Sequence, residues 1–247
     1  LIFLILFTFA LASATTQLPY LSDTVLPESE NKLEIKGNAR VDLFSGAALY
    51  SHPITVPPGT NNLAPQINLL YDSQSLGKRP GILGSSWRIS ESYIQRDTNY
   101  TFSNATEDDF KLVLEGSLHD LIYSTADSRY HTKIETFLYI KNETGGNGND
   151  KNQYWIVKTK DGTTYRFGYY NFSETLSNQY SYVWRWYLDL VNDTYGNQIF
   201  YNYSENPFSK DNGTVYLNKI QYNNDRKRVI DFIYENTDRQ DIWTNYE

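Results

Sequence analysis

The chain has 247 residues, of which 40% are hydrophobic and 16% aromatic, so it can bury a core and is too apolar to be a disordered polypeptide. Its formal net charge of -7 argues against a nucleic-acid partner, because phosphate binding requires a basic face. The absence of cysteine excludes both a disulfide framework and a thiolate zinc site.

The N-terminal segment, residues 1–14, is predicted to be a secretory signal peptide. Residues 1–11 are almost entirely apolar, and Ala12, Ser13 and Ala14 form a small-residue cleavage site. The apolar run is too short for a stable membrane span, and a buried strand is the alternative interpretation. Because the chain contains no methionine, we expect the sequence to lack its natural start. We expect the protein to be secreted.

Residues 15–32 carry two prolines among polar residues and are predicted to be an extended linker. From Leu33, short β-rich runs alternate with turns of glycine, asparagine, aspartate and proline, which predicts a β region over 33–140. The predicted strands of this region are 47–56, 66–71, 87–94, 110–114, 118–123 and 130–140.

The corner between two of these runs, residues 72–84, is rich in glycine, proline and serine. Gly77, Gly81 and Gly84 are expected where the backbone turns through positive φ, since glycine adopts that conformation without a steric penalty. Trp87, at the start of the next run, is expected to fill the corner.

A polar tract, residues 141–153, has no apolar side chain and is predicted to be a long loop or a boundary between subdomains. Strand-like runs then resume in a second β region, 154–247. Asp161 and Gly162 predict a hairpin turn, as do Gly196 and Asn197. No run has sustained helical spacing of apolar residues, so the whole chain is predicted to be all-β. The predicted strands of this region are 154–159, 164–167, 183–191, 198–203, 215–222 and 228–234.

Residues 45–90 resemble the opening signature of the virulence plasmid B protein (SpvB-type) family, which the B component of the insecticidal toxin complexes shares. The family line GAxxYxxPIxVPPGTNGLAPxLxLxYxS, a Gly-rich turn and LGWSLS follow in the same order here. One departure is Ser86, where the family usually has a glycine before the tryptophan. The matching positions include Gly59, Pro65, Tyr71, Gly84 and Trp87.

Two later stretches strengthen this resemblance. YWIVKTKDGTTYRFG, residues 154–168, resembles the next hairpin of the same family. WYLDLVNDTYGNQIFYNY, residues 186–203, resembles both a line of this family and a repeat unit of the Rhs, or tyrosine-aspartate repeat, proteins. Residues 215–235 resemble a further hairpin of that kind.

The resemblance implies successive antiparallel hairpins that form large curved or packed sheets, part of a β-shell. In the toxin complexes, this region of the B component and the C component enclose a toxic C-terminal effector. The implied function is therefore a non-catalytic structural module of a longer chain. Its implied partners are the rest of that chain or a C-component-like shell protein, and any enzymatic activity would lie in a missing C-terminal domain.

The residues themselves give no catalytic, cofactor-binding or metal site. His52, His119 and His131 lie far apart and in no metal-binding spacing. The acidic run 107–109 lacks the ligand alternation of a calcium loop and is predicted to be a solvated turn. No GxSxG elbow is present, so serine hydrolase chemistry has no support.

Aromatic side chains support an alternative function, a secreted or cell-surface binding or adhesion module that recognises glycans. Trp184, Trp186 and Tyr187 alternate with Arg185, an arrangement that could form a platform for sugar stacking. The β preference of tyrosine and tryptophan equally explains these residues as ordinary strand positions.

Seven N-x-S/T sequons occur in the chain. In a secreted eukaryotic or archaeal protein such asparagines are glycan acceptors on exposed loops. Asn104 and Asn142 are the best candidates, because both lie in polar stretches predicted to be loops.

Overall fold

The structure is a computed structural model, and it describes residues 37–78, 81–99, 108–177, 182–205 and 214–234. The predicted signal peptide, the predicted linker and Asn104 lie outside the described residues. The described residues hold sixteen antiparallel strands and three short 3-10 turns, at Thr60–Asn62, Ser73–Ser75 and Asn171–Ser173. The prediction of an all-β chain of successive antiparallel hairpins is confirmed.

The strands are β1 (Asn38–Val41), β2 (Ala48–Ile54), β3 (Ile67–Asp72), β4 (Trp87–Ile89), β5 (Tyr93–Asp97), β6 (Asp109–Leu114), β7 (Ser117–Ser124), β8 (Arg129–Thr132), β9 (Tyr139–Thr144), β10 (Gln153–Lys158), β11 (Thr164–Phe167), β12 (Glu174–Leu176), β13 (Val183–Asn192), β14 (Gln198–Glu205), β15 (Val215–Tyr222) and β16 (Arg228–Asp231).

Strands β1 to β4 form a small four-stranded sheet in chain order. The register places Tyr71 opposite Tyr50 on β2 and opposite Trp87 on β4. The centroid of the Trp87 ring is 5.2 Å from that of Tyr71 and 6.1 Å from that of Tyr50. The signature tryptophan and tyrosine therefore pack on each other across neighbouring strands, which is a favourable cross-strand pair.

The corner before Trp87 uses positive φ at Gly77 (85°) and Gly84 (101°), as predicted, but not at Gly81. Ser86 is the unexpected residue, with a φ of 68°. The glycine usual at this position in the family adopts such a conformation without a steric penalty, whereas a serine side chain is strained there.

The larger sheet contains a closed barrel of eight strands. Strands β5 to β11 pair in chain order, and β13 pairs with β5 through Trp186 and Ile94. The other edge of β13 pairs with β11 through Val191 and Tyr165, which closes the ring. Because closure leaves no free edge, every strand of the ring has hydrogen-bonded neighbours on both sides.

The predictions of single strands over 87–94 and 130–140 are wrong, because the structure has two strands in each range. The run 87–94 is divided between β4 and β5, which belong to different sheets. The Ser90 amide donates to the carbonyl of Asn68 in the small sheet, whereas the Ser92 carbonyl accepts from the amide of Leu188 in the barrel. The chain therefore changes sheets across three polar residues, and their side chains carry no apolar pattern to reveal it.

The run 130–140 is likewise divided, between β8 and β9. Thr132 accepts a hydrogen bond from the amide of Thr136 at 3.1 Å, and Phe137 has a φ of 60°. This local turn ends β8 although the residue types favour a strand, because the side-chain hydrogen bond competes with the strand ladder.

The polar tract 141–153 is divided between the barrel wall and the loop 145–152. Its first four residues belong to β9 and its last residue to β10, and these two strands pair, with Asn142 opposite Trp155. The expectation that Asn142 lies in a loop is therefore wrong, since it occupies a strand.

Beyond the barrel, the sheet continues from β13 through β14 and β15 to β16. Strand β13 is ten residues long and is shared by all parts of this sheet. Its first half pairs with β12 and β5, and its second half pairs with β11 and β14.

The VPPGT part of the signature connects the small sheet to this extension. The Tyr222 hydroxyl donates to the carbonyl of Pro57 at 2.7 Å. The amide and hydroxyl of Thr60 both donate to the side-chain oxygen of Asn223, at 2.7 and 3.1 Å. The motif therefore fixes the β2–β3 connection against the end of β15.

We expect Gly59→Ala to destabilise the chain by about 1–3 kcal/mol, because added volume at a packed site forces the backbone to move. A Cβ at Gly59 would overlap the carbonyl oxygen of Leu63 and lie 3.2 Å from the Tyr222 ring. The matched control is Gly81→Ala in the same signature, where the nearest atom, the Trp87 carbonyl oxygen, is 3.5 Å away. Urea unfolding compares the two variants, and equal stabilities would contradict the assigned contact.

Candidate functional site

A cavity of about 470 Å³ lies inside one end of the barrel. Seven of the eight barrel strands contribute to its walls, either directly or through the residue that precedes the strand. The residues that define its character are Arg96, Asp108, Phe110, Asn142, Gln153 and Trp186. Charged, amide and aromatic side chains converge around this open volume, and so we take it as the candidate site.

The charged part of the site is an ion pair between Arg96 and Asp108. Arg96 Nη1 and Asp108 Oδ2 are 2.9 Å apart, and the two side chains are 9% and 1% exposed. The Arg96 Nε also donates to the carbonyl of Val183 at 3.0 Å. The prediction of a solvated acidic turn is therefore wrong for Asp108, because the approach of Arg96 compensates the cost of burying its charge.

Three aromatic rings surround the Arg96 guanidinium. They are Phe110, Tyr182 and Trp186, with centroids at 5.0, 4.9 and 5.7 Å. Such cation–π contacts stabilise a cation that is removed from water. Arg96 and Asp108 carry opposite charges and the rings carry none, so the site has no net charge.

A cluster of four aromatic side chains forms the barrel core next to the cavity. Trp155 lies 4.8 Å from Tyr130, 5.0 Å from Phe110 and 5.7 Å from Trp186 between ring centroids. Trp155 and Trp186 are both 0% exposed. The indole nitrogens of both tryptophans have no hydrogen-bond partner among the described residues.

A second polar cluster is buried on the wall formed by β11 and β13. In the register of these strands Arg166 pairs with Leu190 and Phe167 with Leu188, so Asp189 is the extra residue of a β-bulge. Its carboxylate accepts from Arg166 Nε at 2.6 Å, from the Tyr169 amide at 2.7 Å and from the Ser173 hydroxyl at 3.2 Å.

Burial raises the pKa of Asp189 to about 6, although the charge of Arg166 acts in the opposite direction. Three hydrogen bonds to the carboxylate offset part of the cost of burying it. The cluster around Asp189 fixes the chain that leaves β11 against β13.

A third buried group, Glu174, contacts the β9–β10 loop. Its Oε1 accepts from the amide of Asp150 at 2.6 Å, and burial raises the pKa of this carboxyl to about 7. Beside it, the Asn149 amide donates to the carbonyls of Gln153 and Gly168, at 2.7 and 2.8 Å. These contacts anchor the loop next to the candidate site, and no local sequence signal distinguishes them.

The turn residues selected from the sequence lie in turns. Gly162 and Gly196 have φ values of 87° and 81°. The Asp161 carboxylate accepts from the Thr163 hydroxyl at 2.9 Å, and the Asp193 carboxylate accepts from the Asn197 amide at 2.7 Å. Their positions indicate a role in hairpin formation.

The structure does not bring the three histidines together. His52 lies in β2, His119 in β7 and His131 in β8, where its ring lies 2.9 Å from the Asp127 carboxylate. Across the ranges that the structure describes, no group of three or more histidine and acidic side chains could hold a metal ion.

The predicted aromatic platform on β13 is not assembled as one exposed surface. Trp186 and Tyr187 are 0% and 7% exposed. Arg185 lies on Tyr93, 4.2 Å from its ring centroid, and donates to Gln95. Trp186 belongs to the cavity, whereas Arg185 contacts a neighbouring strand, so the alternation reflects ordinary strand packing.

No helix in the described residues has the length and apolar character needed to cross a bilayer.

The described residues define a class of protein, a closed antiparallel barrel extended by an open sheet and held by buried ion pairs and aromatic contacts. Residues 43–245 match the family described as Salmonella virulence plasmid 65kDa B protein (SpvB). The chain belongs to this family, and the resemblance predicted from its signature is confirmed.

Solved structures share the fold. The TcdB2-TccC3 crystal structure is similar to 76% of this chain, with a TM-score of 0.57 and 17% identity. The Tc holotoxin pore of Photorhabdus luminescens is similar to 72%, with a TM-score of 0.54 and 18% identity. The N-terminal domain of the effector SpvB from Salmonella typhimurium strain LT2 is similar to 69%, with a TM-score of 0.52 and 19% identity.

The similarity spans 10% of the chain in the TcdB2-TccC3 structure, 9% of the chain in the holotoxin pore and 62% of the SpvB N-terminal domain chain. A comparison with curated protein sequences gives no significant match. At these identities the solved structures establish the architecture alone.

Proposed function

We propose that this chain is a non-catalytic structural module of a secreted shell protein of the toxin B-component or Rhs type. In this proposal its strands contribute to a β-rich wall that encloses a C-terminal toxin or effector. The observation that carries the proposal is the open end of the larger sheet at β16.

Strand β16 pairs with β15 over four residues, and no other described strand pairs with it. Val229 in this strand is 43% exposed, and Ile233 just after it is 89% exposed. An unpaired edge with apolar side chains is a template for another strand. A further hairpin, from the same chain or from a partner, would satisfy its backbone groups and cover these side chains.

The two parts of the larger sheet suit different roles in such a wall. The barrel closes on itself and supplies a buried core, whereas β14 to β16 form hairpins that cannot bury both faces alone. A wall can therefore grow from the barrel by repeated addition of hairpins. The partners in this proposal are the rest of a longer chain or a C-component-like shell protein, and secretion would follow from the predicted signal peptide.

The first test is to determine the coding sequence beyond both ends of this chain and to solve the full-length protein by electron cryo-microscopy. We expect further β-rich repeats downstream, a strand paired with β16 and an enclosed C-terminal segment. A stop codon near Glu247, a membrane anchor, or a β16 edge that faces solvent in the complete protein would contradict the proposal.

A further inference from the structure

The cavity at the end of the barrel contains polar groups that the fold does not satisfy. Asp108 has one oxygen, Oδ1, with no hydrogen-bond partner among the described residues, although its side chain is 1% exposed. The Trp186 indole nitrogen is likewise buried and unpartnered within the described ranges. Neither atom is open to the cavity, so both belong to its polar wall, and a ligand would have to contact the accessible lining side chains instead.

The charge of the cavity restricts that ligand. Arg96 and Asp108 neutralise each other at 2.9 Å, and the remaining described lining residues are uncharged. An ionic ligand would therefore have no counter-charge of its own, and a neutral polar ligand is favoured.

The walls of the cavity provide further polar contacts of both kinds. Asn142 and Gln153 come from adjacent strands, and each amide offers two donors and an acceptor. Within the part of the chain that the structure describes, neither amide has a protein partner. Tyr123 is 51% exposed and lies 5.1 Å from Tyr130 between ring centroids, so aromatic surface lies beside the amides.

We propose that this cavity binds a neutral saccharide of one or two sugar units. Its hydroxyl groups exchange hydrogen bonds with Asn142 and Gln153, while a sugar face lies on the tyrosine rings. A cavity of about 470 Å³ has the size of a typical small-ligand site. The inference is independent of the shell function, because it concerns the barrel interior and not the β16 edge.

The test uses the 247-residue chain produced in a host without N-glycosylation, so that Asn142 carries no covalent sugar. The neutral probes are glucose, galactose, mannose, N-acetylglucosamine and their disaccharides, and glucuronic acid is the charged comparison; binding is measured by saturation-transfer NMR and calorimetry. We expect at least one probe to bind with a dissociation constant of about 1 mM.

The variants Asn142→Ala and Gln153→Ala should each weaken binding by about 3- to 10-fold, because each removes hydrogen bonds to the sugar. The matched control Asn202→Ala removes an exposed amide from β14, outside the cavity, and should leave binding unchanged. Circular dichroism verifies that all three variants are folded, so that a loss of binding is attributable to the site.

Three results would overturn the inference. The first is the absence of binding by every probe at about 50 mM, well above the expected dissociation constant. The second is binding that neither cavity variant weakens, because the sugar would then lie elsewhere. The third is a preference of at least tenfold for glucuronic acid over glucose, because the site would then recognise charge.

Discussion

Replacing Trp155 with alanine is expected to lower the free energy of unfolding by about 3–5 kcal/mol, the range for large aromatic residues deleted from a packed core. The side chain is 0% exposed and contacts the rings of Phe110, Tyr130 and Trp186. Its neighbours come from three other strands of the closed ring, so they cannot collapse into the vacated space without opening the barrel. The loss should therefore approach the upper end of that range.

Urea unfolding followed by far-ultraviolet circular dichroism measures this effect. The control is Tyr195→Ala, in the turn between β13 and β14, where the side chain is 77% exposed and the expected change is below about 0.5 kcal/mol. A loss of less than about 1 kcal/mol for Trp155→Ala would contradict its place at the centre of the core.

The second large effect is expected for Asp189→Ala, which should destabilise the chain by about 3–5 kcal/mol. The variant leaves the Arg166 guanidinium without its carboxylate and removes the acceptor of the Tyr169 amide and the Ser173 hydroxyl. The cost arises from these groups left unpaired and not from a strong net attraction, since burial already raises the pKa of Asp189 to about 6.

The measurement belongs at pH 8, above that pKa, where the wild-type carboxylate is ionised. The matched control is Asp231→Ala, which removes an ion pair with Lys219 whose side chains are 57% and 40% exposed. Exposed pairs contribute about 0–1 kcal/mol, so the control should be nearly neutral. Equal losses in the two variants would show that the Asp189 cluster is not buried in solution.

The hairpins of this chain could be predicted because their signals are local. Asp161 and Gly162, or Gly196 and Asn197, specify a turn between two β-rich runs, and the turn brings adjacent strands together. The sequence also places Trp87 at the corner after residues 72–84, but its packing on Tyr71 depends on the register of two strands, which the structure supplies.

The closure of the barrel could not be predicted, because it depends on pairing between distant segments. Nothing near Ile94 indicates that its partner is Trp186, and nothing near Tyr165 indicates Val191. The same limit explains the divided run 87–94, in which a change of sheet depends on hydrogen bonds to Asn68 and Leu188.

The candidate site was only partly visible in the sequence. The sequence pattern places Trp186 in an aromatic platform, because alternation along one strand does not reveal which face is enclosed. The acidic run predicts a solvated turn at Asp108, since its partner Arg96 lies twelve residues earlier, in β5. Local polarity alone cannot distinguish a solvated carboxylate from one that is buried and paired.

The position of β13 has a consequence for the order of events during synthesis. The pairing of Ile94 with Trp186 closes the ring, and it spans roughly 90 residues of chain that a ribosome adds in about 5–20 s. Until β13 emerges, the hairpins of β5 to β11 can form only an open ribbon, with Phe110 and Trp155 on a face that nothing covers. A nascent chain in this interval should therefore engage chaperones, and the release of β13 is the event that ends its exposure to aggregation.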